Sequence, residues 1–325
     1  MVELPQRGAV VGCGVIGAAW AARMRLRGID VAAYDPSPNA SAVLDDVMAD
    51  AVSAWDALGL STDHVGSLTL YASIEEAVAD AGLIQESVPE RLDTKHSTLA
   101  AIDAVAPADA IIASSTSGYK PTDLATSMSR PDRLVVAHPF NPVYLLPLVE
   151  IVGGQQTSLG TIDRAMDTYR ALGMHPLHVR KEIDAFIADR LLEAVWREAL
   201  WLVNDGIATT EEIDDAIRYG FGLRWAQMGT FETYRIAGGE GGMRHFMEQF
   251  GPALKWPWTK LMDTPELTEE LIDTIAEQSD EQAAGRSIRD LAQERDRNLV
   301  AILRALESVD AGAGKTITNL RALQA

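Results

Sequence analysis

The chain has one cysteine, Cys13, in 325 residues. An internal disulfide is excluded, so the core alone must hold the fold, as in a reducing compartment. Aromatic residues make up only 6%, so a local cluster of them is informative. Bases are scarce: Lys and Arg total 28 against 47 Asp and Glu, a formal net charge of −19. That argues against nucleic acid or an anionic membrane as the main partner, because both bind through positive charge. It leaves room for a cationic ligand. No apolar run reaches the roughly 20 residues of a membrane span. Met1 to Arg7 are too short and polar for a signal peptide. A cytoplasmic protein of about two domains is expected.

The first apolar segment, residues 8–11, runs into Gly12-Cys13-Gly14-Val15-Ile16-Gly17 and then an Ala-rich helix reaching about Arg27. This is G-x-G-x-x-G between a strand and a helix. Gly12 permits the tight turn, Gly14 lets a pyrophosphate approach the backbone, and Gly17 lets helix and strand pack closely. The free N–H groups of the helix start then face the phosphates. A structural glycine turn can look the same, but the context favours a nucleotide site. The next apolar strand, residues 31–34, ends in Asp35, the acid that the fingerprint places about 20 residues on. Asp35 can accept from ribose hydroxyls and would repel a 2′-phosphate, so NAD is favoured over NADP.

Further strands are expected at 68–71, 83–86, 110–113, 134–137, 148–152 and 175–179. Helices are expected at 39–58, after Ser73, at 92–106 and at 158–172. Alternation of this kind predicts an α/β Rossmann-type domain with a mostly parallel, doubly wound sheet. Ligands bind such sheets at the carboxyl ends of strands. Residues 86–90, 114–118 and 138–141 lie at such ends.

One of those ends carries chemistry. The strand at 134–137 delivers His138 into His138-Pro139-Phe140-Asn141-Pro142, where two prolines fix an irregular loop. Glu150 lies inside the apolar run at 148–152, and a carboxylate there needs a partner. His138 is the candidate, since a carboxylate on one imidazole nitrogen fixes the tautomer and raises basicity. Such a pair can take a hydroxyl proton while a hydride leaves the same carbon. Taken singly, a strand-end His, a helix-capping Ser/Thr cluster and a paired Glu are each common structural features. Together in one nucleotide-binding domain they point to an enzyme.

After Glu182 the pattern is helical only. Ile183, Ile187, Leu191 and Val195 recur at helical spacing, predicting a helix from about 183 to 205. Domains of 1–182, binding NAD, and 183–325, all-α, are expected. The tail beyond Ser308, with Gly312 and Gly314, is expected to be loosely held. The unusual stretches are 222–231, with Arg224, Trp225 and Phe231, and 255–260, with Lys255, Trp256, Pro257, Trp258 and Lys260. Aromatic faces attract quaternary ammonium groups, and Arg224, Lys255 and Lys260 are candidates for a carboxylate. Most such aromatics serve a core or an interface, and two or three are expected to touch substrate.

The chain resembles the 3-hydroxyacyl-CoA dehydrogenase superfamily. The resemblance rests on the glycine loop, Glu86-Ser87-Val88-Pro89-Glu90, Ser114-Ser115-Thr116-Ser117, the His138–Pro142 loop, Leu148-Val149-Glu150 and Phe186-Ile187-Ala188-Asp189-Arg190-Leu191. It implies that His138 is the catalytic base, Glu150 its orienting partner, and Ser117 a hydrogen-bonding group near the substrate oxygen. It also implies that Glu90, Lys95 and Asn141 lie near the cofactor. The acyl-CoA enzymes carry Asn where this chain has Asp189, a departure that suits a substrate with positive charge. Pairing of Asp189 with a neighbouring base is the other reading of that residue. In Gly222-Leu223-Arg224-Trp225-Ala226, 238–245, 249–255 and Arg286-Ser287-Ile288-Arg289 the second half is similar to the carnitine-oxidising branch of the superfamily. Members acting on L-gulonate, and lambda-crystallin, share the Leu-Arg-aromatic-Ala theme. The resemblance implies a homodimer formed through the helical domain.

Overall fold

The computed structural model describes residues 3–238, 240, 242–250, 259, 266 and 268–324. The chain forms two compact units. The first comprises Met1–Asp189, Asp296–Ser308 and Ala313–Ala325; the second comprises Arg190–Arg295 and Val309–Gly312.

Among the described residues of the first unit, eight strands form one sheet. They are β1 (Arg7–Val11), β2 (Asp30–Tyr34), β3 (Leu68–Leu70), β4 (Leu83–Glu86), β5 (Ile111–Ser114), β6 (Leu134–Pro139), β7 (Leu148–Gly153) and β8 (His175–Val179). Their order is β3-β2-β1-β4-β5-β6-β7-β8. Every neighbouring pair is parallel except β6 and β7. From β1 the chain winds one way to β3 and then the other way from β4. In sheets of this kind ligands bind at that switch, at the carboxyl ends of β1 and β4.

The connecting helices are α1 (Val15–Arg25), α2 (Ala40–Leu58), α3 (Ile74–Val78), α4 (Leu92–Val105), α5 (Pro121–Leu124) and α6 (Leu159–Ala171). Alternate strand residues feed two cores. Val10 joins Trp20, Trp55 and Tyr169 from α1, α2 and α6, whereas Ala9 and Val11 join Ala77, Leu99 and Ile102 from α3 and α4. This is the period-two alternation of a sheet covered on both faces. Arg23 of α1 is 2% exposed, and its guanidinium donates to the carbonyls of Leu172 at 3.1 Å, Tyr144 at 3.1 Å and Gly173 at 2.5 Å. It nails α1 to the loop that follows His138.

The second unit, among its described residues, is helical. It holds α7 (Ala188–Asn204) beyond Asp189, α8 (Thr210–Ala216), a π-turn at Ile217–Phe221, α9 (Gly222–Trp225), α10 (Gly229–Ala237), α11 (Gly242–Phe250) and α12 (Glu269–Ala283). A capping box between Thr209 and Glu212 starts α8. Leu192 and Trp196 of α7, more than half exposed, leave an apolar face uncovered.

Two expectations need correction. The helix expected from Ile183 begins only at Ala188. Ala185 and Phe186 take left-handed backbone with φ of 58° and 49°, and the N–H groups of Ile187 and Ala188 that follow donate to Glu150 of β7. The tail is not loose. α13 (Ile288–Ser308) and α14 (Gly314–Gln324) bring Val300, Leu303, Ile317 and Leu320 into the core beside α1 and α2. Gly314 permits this crossing, since a Cβ there would meet the backbone of Leu306 and Glu307 at 2.2 Å. The Arg321 guanidinium caps α2 through the carbonyls of Leu58 and Gly59. The compact units part at Asp189, and Asp296–Ser308 and Ala313–Ala325 return to the first unit.

No described helix is long and apolar enough to cross a membrane.

Candidate active site

The antiparallel register of β6 and β7 sets His138 directly opposite Glu150. Both are buried, at 4% and 0% exposure. The imidazole Nδ1 lies 2.9 Å from Glu150 Oε2. The other carboxylate oxygen, Oε1, accepts the backbone N–H groups of Ile187 at 2.9 Å and Ala188 at 3.0 Å. Glu150 thus holds the imidazole and the start of α7 at once. The rings of Phe140 and Phe186 stand 5.1 and 5.7 Å from the imidazole. On the far side, Nε2 is 3.5 Å from Oδ2 of Asp189. With Nδ1–H donated to a carboxylate, Nε2 presents its lone pair. The arrangement is able to accept a proton from an alcohol.

The cofactor half fits a dinucleotide. Gly12 has φ of 93°, and a Cβ there would lie 2.6 Å from the Ser87 carbonyl. At Gly17 a Cβ would lie 1.8 Å from the Gly12 carbonyl, whereas at Gly14 it would meet nothing within 4 Å. The loop is therefore closed on the protein side and open above Gly14. No side chain caps α1 and no acid lies in its first turn, so an anion meets only N–H groups there. Val15 is exposed and Ile16 half-buried at this tip. Asp35 does more than expected: Oδ2 accepts the Cys13 N–H at 2.6 Å and Oδ1 the Ser37 N–H at 2.7 Å. An ionised carboxylate has about four acceptor positions, which leaves capacity for ribose hydroxyls. Burial, reinforced by Asp35, pushes the Cys13 thiol up to about 12. It stays protonated at neutral pH and acts as a small spacer.

At the ends of β4 and β5, Lys95 is 1% exposed. Its ammonium lies 3.0 Å from Glu86 and 3.1 Å from Glu90, and donates to the Val88 carbonyl at 3.3 Å. Glu90 also accepts from the Thr116 hydroxyl and from the Gly118 N–H at 3.3 Å. Glu90 and Lys95 thus fasten the loop that carries Ser117. Ser117 and Asn141 are exposed at strand ends, and Asn141 precedes a cis peptide to Pro142.

Several supporting residues escape sequence reasoning. The Tyr169 hydroxyl donates to Gln85 Oε1 at 2.7 Å, and Gln85 Nε2 donates to Ser115 Oγ at 2.7 Å. Ser115 Oγ also meets Ser87 Oγ at 2.8 Å and receives Trp20 Nε1 at 3.2 Å. Gln85 and Glu86 were detectable as polar residues inside an apolar strand, which need partners. The partners were not, because they come from distant parts of the chain.

Arg224, Trp225 and Phe231 belong to the second unit. All three are exposed, Phe231 by 80%, and Trp225 packs on Phe221 at 4.6 Å between ring centroids. Lys255, Trp256, Pro257, Trp258 and Lys260 lie outside the described residues. Among the described residues no cluster of His, Cys, Asp and Glu could hold a metal ion.

Comparison with known proteins matches this architecture. Residues 8–183 match the NAD-binding domain of 3-hydroxyacyl-CoA dehydrogenase, and residues 186–277 match its C-terminal domain. The chain is 62% identical over 317 residues to a protein of Mesorhizobium japonicum named L-carnitine dehydrogenase, covering 96% of this chain and 86% of that one. It is 60% identical over 310 residues to an Agrobacterium fabrum protein named L-carnitine dehydrogenase/betainyl-CoA thioesterase. That match covers 95% of this chain but only 63% of the longer relative. Among solved structures it resembles 5-formyl-3-hydroxy-2-methylpyridine 4-carboxylic acid 5-dehydrogenase, described as an NAD+ dependent dismutase. The TM-score is 0.79 at 28% identity, covering 94% of this chain and 99% of that one. The glycine loop, the His138–Glu150 register and the two-part family match together establish that the chain belongs to the 3-hydroxyacyl-CoA dehydrogenase family.

Proposed function

We propose that the chain oxidises L-carnitine at its C3 hydroxyl to 3-dehydrocarnitine, with NAD as oxidant. The reaction class is carried by the His138 imidazole, held at 2.9 Å by a fully buried Glu150 carboxylate. The choice of alcohol is supported by the near-full-length similarity to proteins named L-carnitine dehydrogenase.

In this reading Gly12, Cys13, Gly14, Val15, Ile16 and Gly17 cradle the pyrophosphate and Asp35 accepts from the adenosine ribose. Glu90 and Lys95 lie near the cofactor, and Asn141 near its nicotinamide. Bound NAD supplies the hydride acceptor. His138 Nε2 takes the hydroxyl proton, and Glu150 stabilises the imidazolium that forms. General-base catalysis of this kind contributes about 10²–10⁴-fold. Ser117 positions the hydroxyl. Asp189, Arg224, Trp225 and Phe231 bind the substrate, Arg224 through its carboxylate and the aromatics through the trimethylammonium.

We assign residues 1–182 to cofactor binding and the helical part to substrate binding and homodimerisation. The uncovered apolar face of Leu192 and Trp196 supports the latter. The single cysteine supports a cytoplasmic setting.

The test is NADH formation by the purified chain with L-carnitine, L-gulonate and 3-hydroxybutyryl-CoA. Turnover selective for L-carnitine is expected. Selectivity for either other alcohol contradicts the substrate assignment. NAD binding with no turnover of any of the three points to a non-catalytic NAD-binding protein.

A further inference from the structure

We infer that Asp189 is the specificity-determining residue, and that it acts by selecting positive charge on the carbon next to the carbinol. The inference rests on His138 being the base and deepens the proposed function.

The two sides of the imidazole differ. On the Nδ1 side the carboxylate is at 2.9 Å, a closed hydrogen bond. On the Nε2 side Asp189 Oδ2 is at 3.5 Å, beyond the roughly 2.7–2.9 Å of a charge-assisted N–H···O contact. Nε2 can therefore take a hydroxyl as its partner while Asp189 stays beside it. A hydroxyl in hydrogen-bond reach of Nε2 brings the carbinol carbon, and whichever of its two arms turns toward α7, alongside the Asp189 carboxylate. A charge on that arm is then a few ångströms from Asp189, where Coulomb energies are large. A charge on the opposite arm, turned away, is farther off. A cation there is favoured, a neutral group is not rewarded, and an anion is repelled. A quaternary ammonium offers no N–H, so recognition by Asp189 is by charge and contact alone.

The backbone that carries Asp189 is held in advance. The Glu182 carboxylate accepts the Thr122 N–H at 3.1 Å and the Thr122 hydroxyl at 2.6 Å. Asp184 pairs with Lys120 at 3.0 Å. Glu150 takes the N–H groups of Ile187 and Ala188, and the fully buried Phe186 packs near the His138 ring. Ala185 and Phe186 carry the left-handed backbone that turns the chain into α7, and such strain persists only where surrounding contacts over-determine it. Asp189 lies in the first turn of α7, where the helix dipole favours a negative charge. A backbone fixed before the substrate arrives costs little ordering on binding.

The experiment compares wild type with Asp189→Asn on two alcohols, L-carnitine and its carbon isostere 3-hydroxy-5,5-dimethylhexanoate, which replaces the nitrogen by a neutral carbon. Binding of 4-trimethylammoniobutanoate, which has the cation but no hydroxyl, to the enzyme–NADH complex is measured alongside. Wild type is expected to favour L-carnitine strongly. In the variant, kcat/KM for L-carnitine should fall on the order of 10- to 100-fold, mainly through KM. Turnover of the isostere should hold or rise, and 4-trimethylammoniobutanoate should bind correspondingly more weakly. Asp189→Ser provides the same readouts should the amide variant fold poorly. An equal loss on both alcohols, or an unchanged preference, overturns the inference. Asp189-dependent binding of 4-trimethylammoniobutanoate without oxidation of L-carnitine would support the inference while contradicting the proposed reaction.

Discussion

Glu150 and Ala188 are joined by a hydrogen bond in which the Ala188 N–H donates to Oε1 at 3.0 Å, while Oε2 holds the His138 imidazole at 2.9 Å. One buried carboxylate thus orients the His138 imidazole and fixes the start of the helix that carries Asp189.

Replacing Glu150 by Gln should therefore affect two properties together. An amide has one acceptor oxygen and one donor NH2, so it cannot face the imidazole N–H and the two backbone N–H groups with acceptors on both sides. Turnover should fall by about 10²–10⁴-fold, as expected when a general base loses its orientation. Stability should fall by about 1–3 kcal/mol for the donors left unpaired. Steady-state kinetics and denaturant unfolding check the two effects. A loss in only one of them separates the roles that the geometry joins.

The glycine loop offers a contrast between two similar substitutions. Gly17→Ala puts a methyl 1.8 Å from the Gly12 carbonyl, whereas Gly14→Ala meets no atom within 4 Å. The first should destabilise the folded protein by about 1–3 kcal/mol, the range for forced overpacking. The second should melt near wild type without cofactor yet bind NAD at least tenfold more weakly, because its methyl enters the pyrophosphate space. Thermal melting with and without NAD distinguishes them.

This difference shows how much of the fold was legible from the residues. Each strand is a short apolar run bounded by turn residues, and all eight appear close to their expected places. The pairing of His138 with Glu150 was readable because a carboxylate in an apolar strand needs a partner and a nearby strand end supplied one. The late start of α7 was not, since the spacing of Ile183 and Ile187 looks helical and only the distant acceptor Glu150 overrides it. The docking of α14 was also hidden. Gly312 and Gly314 read as loosening, whereas Gly314 serves a close helix crossing. The second role of Asp35, capping the Cys13 N–H, and the Tyr169–Gln85–Ser115 chain depend on contacts between segments far apart in sequence.

Acid stability should depend on Asp103. Burial opposes its charge, but hydrogen bonds from the Arg133 side chain and from the Arg130 and Ser129 N–H groups outweigh burial and hold the carboxyl below the usual aspartate range. A carboxylate whose folded value lies below its unfolded value stabilises the protein fully above the unfolded value. That contribution is lost as pH falls through the lower folded value. Asp103→Asn should cost about 3 kcal/mol near neutral pH, since it leaves Arg133, itself 2% exposed, without its carboxylate. It should also flatten the loss of stability below the usual aspartate range. Urea unfolding of both forms across acid pH checks this, and parallel pH profiles would contradict it.

The central claim is that His138 takes the proton from the C3 hydroxyl of L-carnitine as NAD is reduced. The most direct measurement is NADH formation from L-carnitine by His138→Ala, with NAD affinity titrated on the same preparation. The account predicts turnover lowered by about 10²–10⁴-fold or more with NAD affinity close to wild type, because the loop at 12–17 and Asp35 are separate from the imidazole. Turnover within a few-fold of wild type would contradict it.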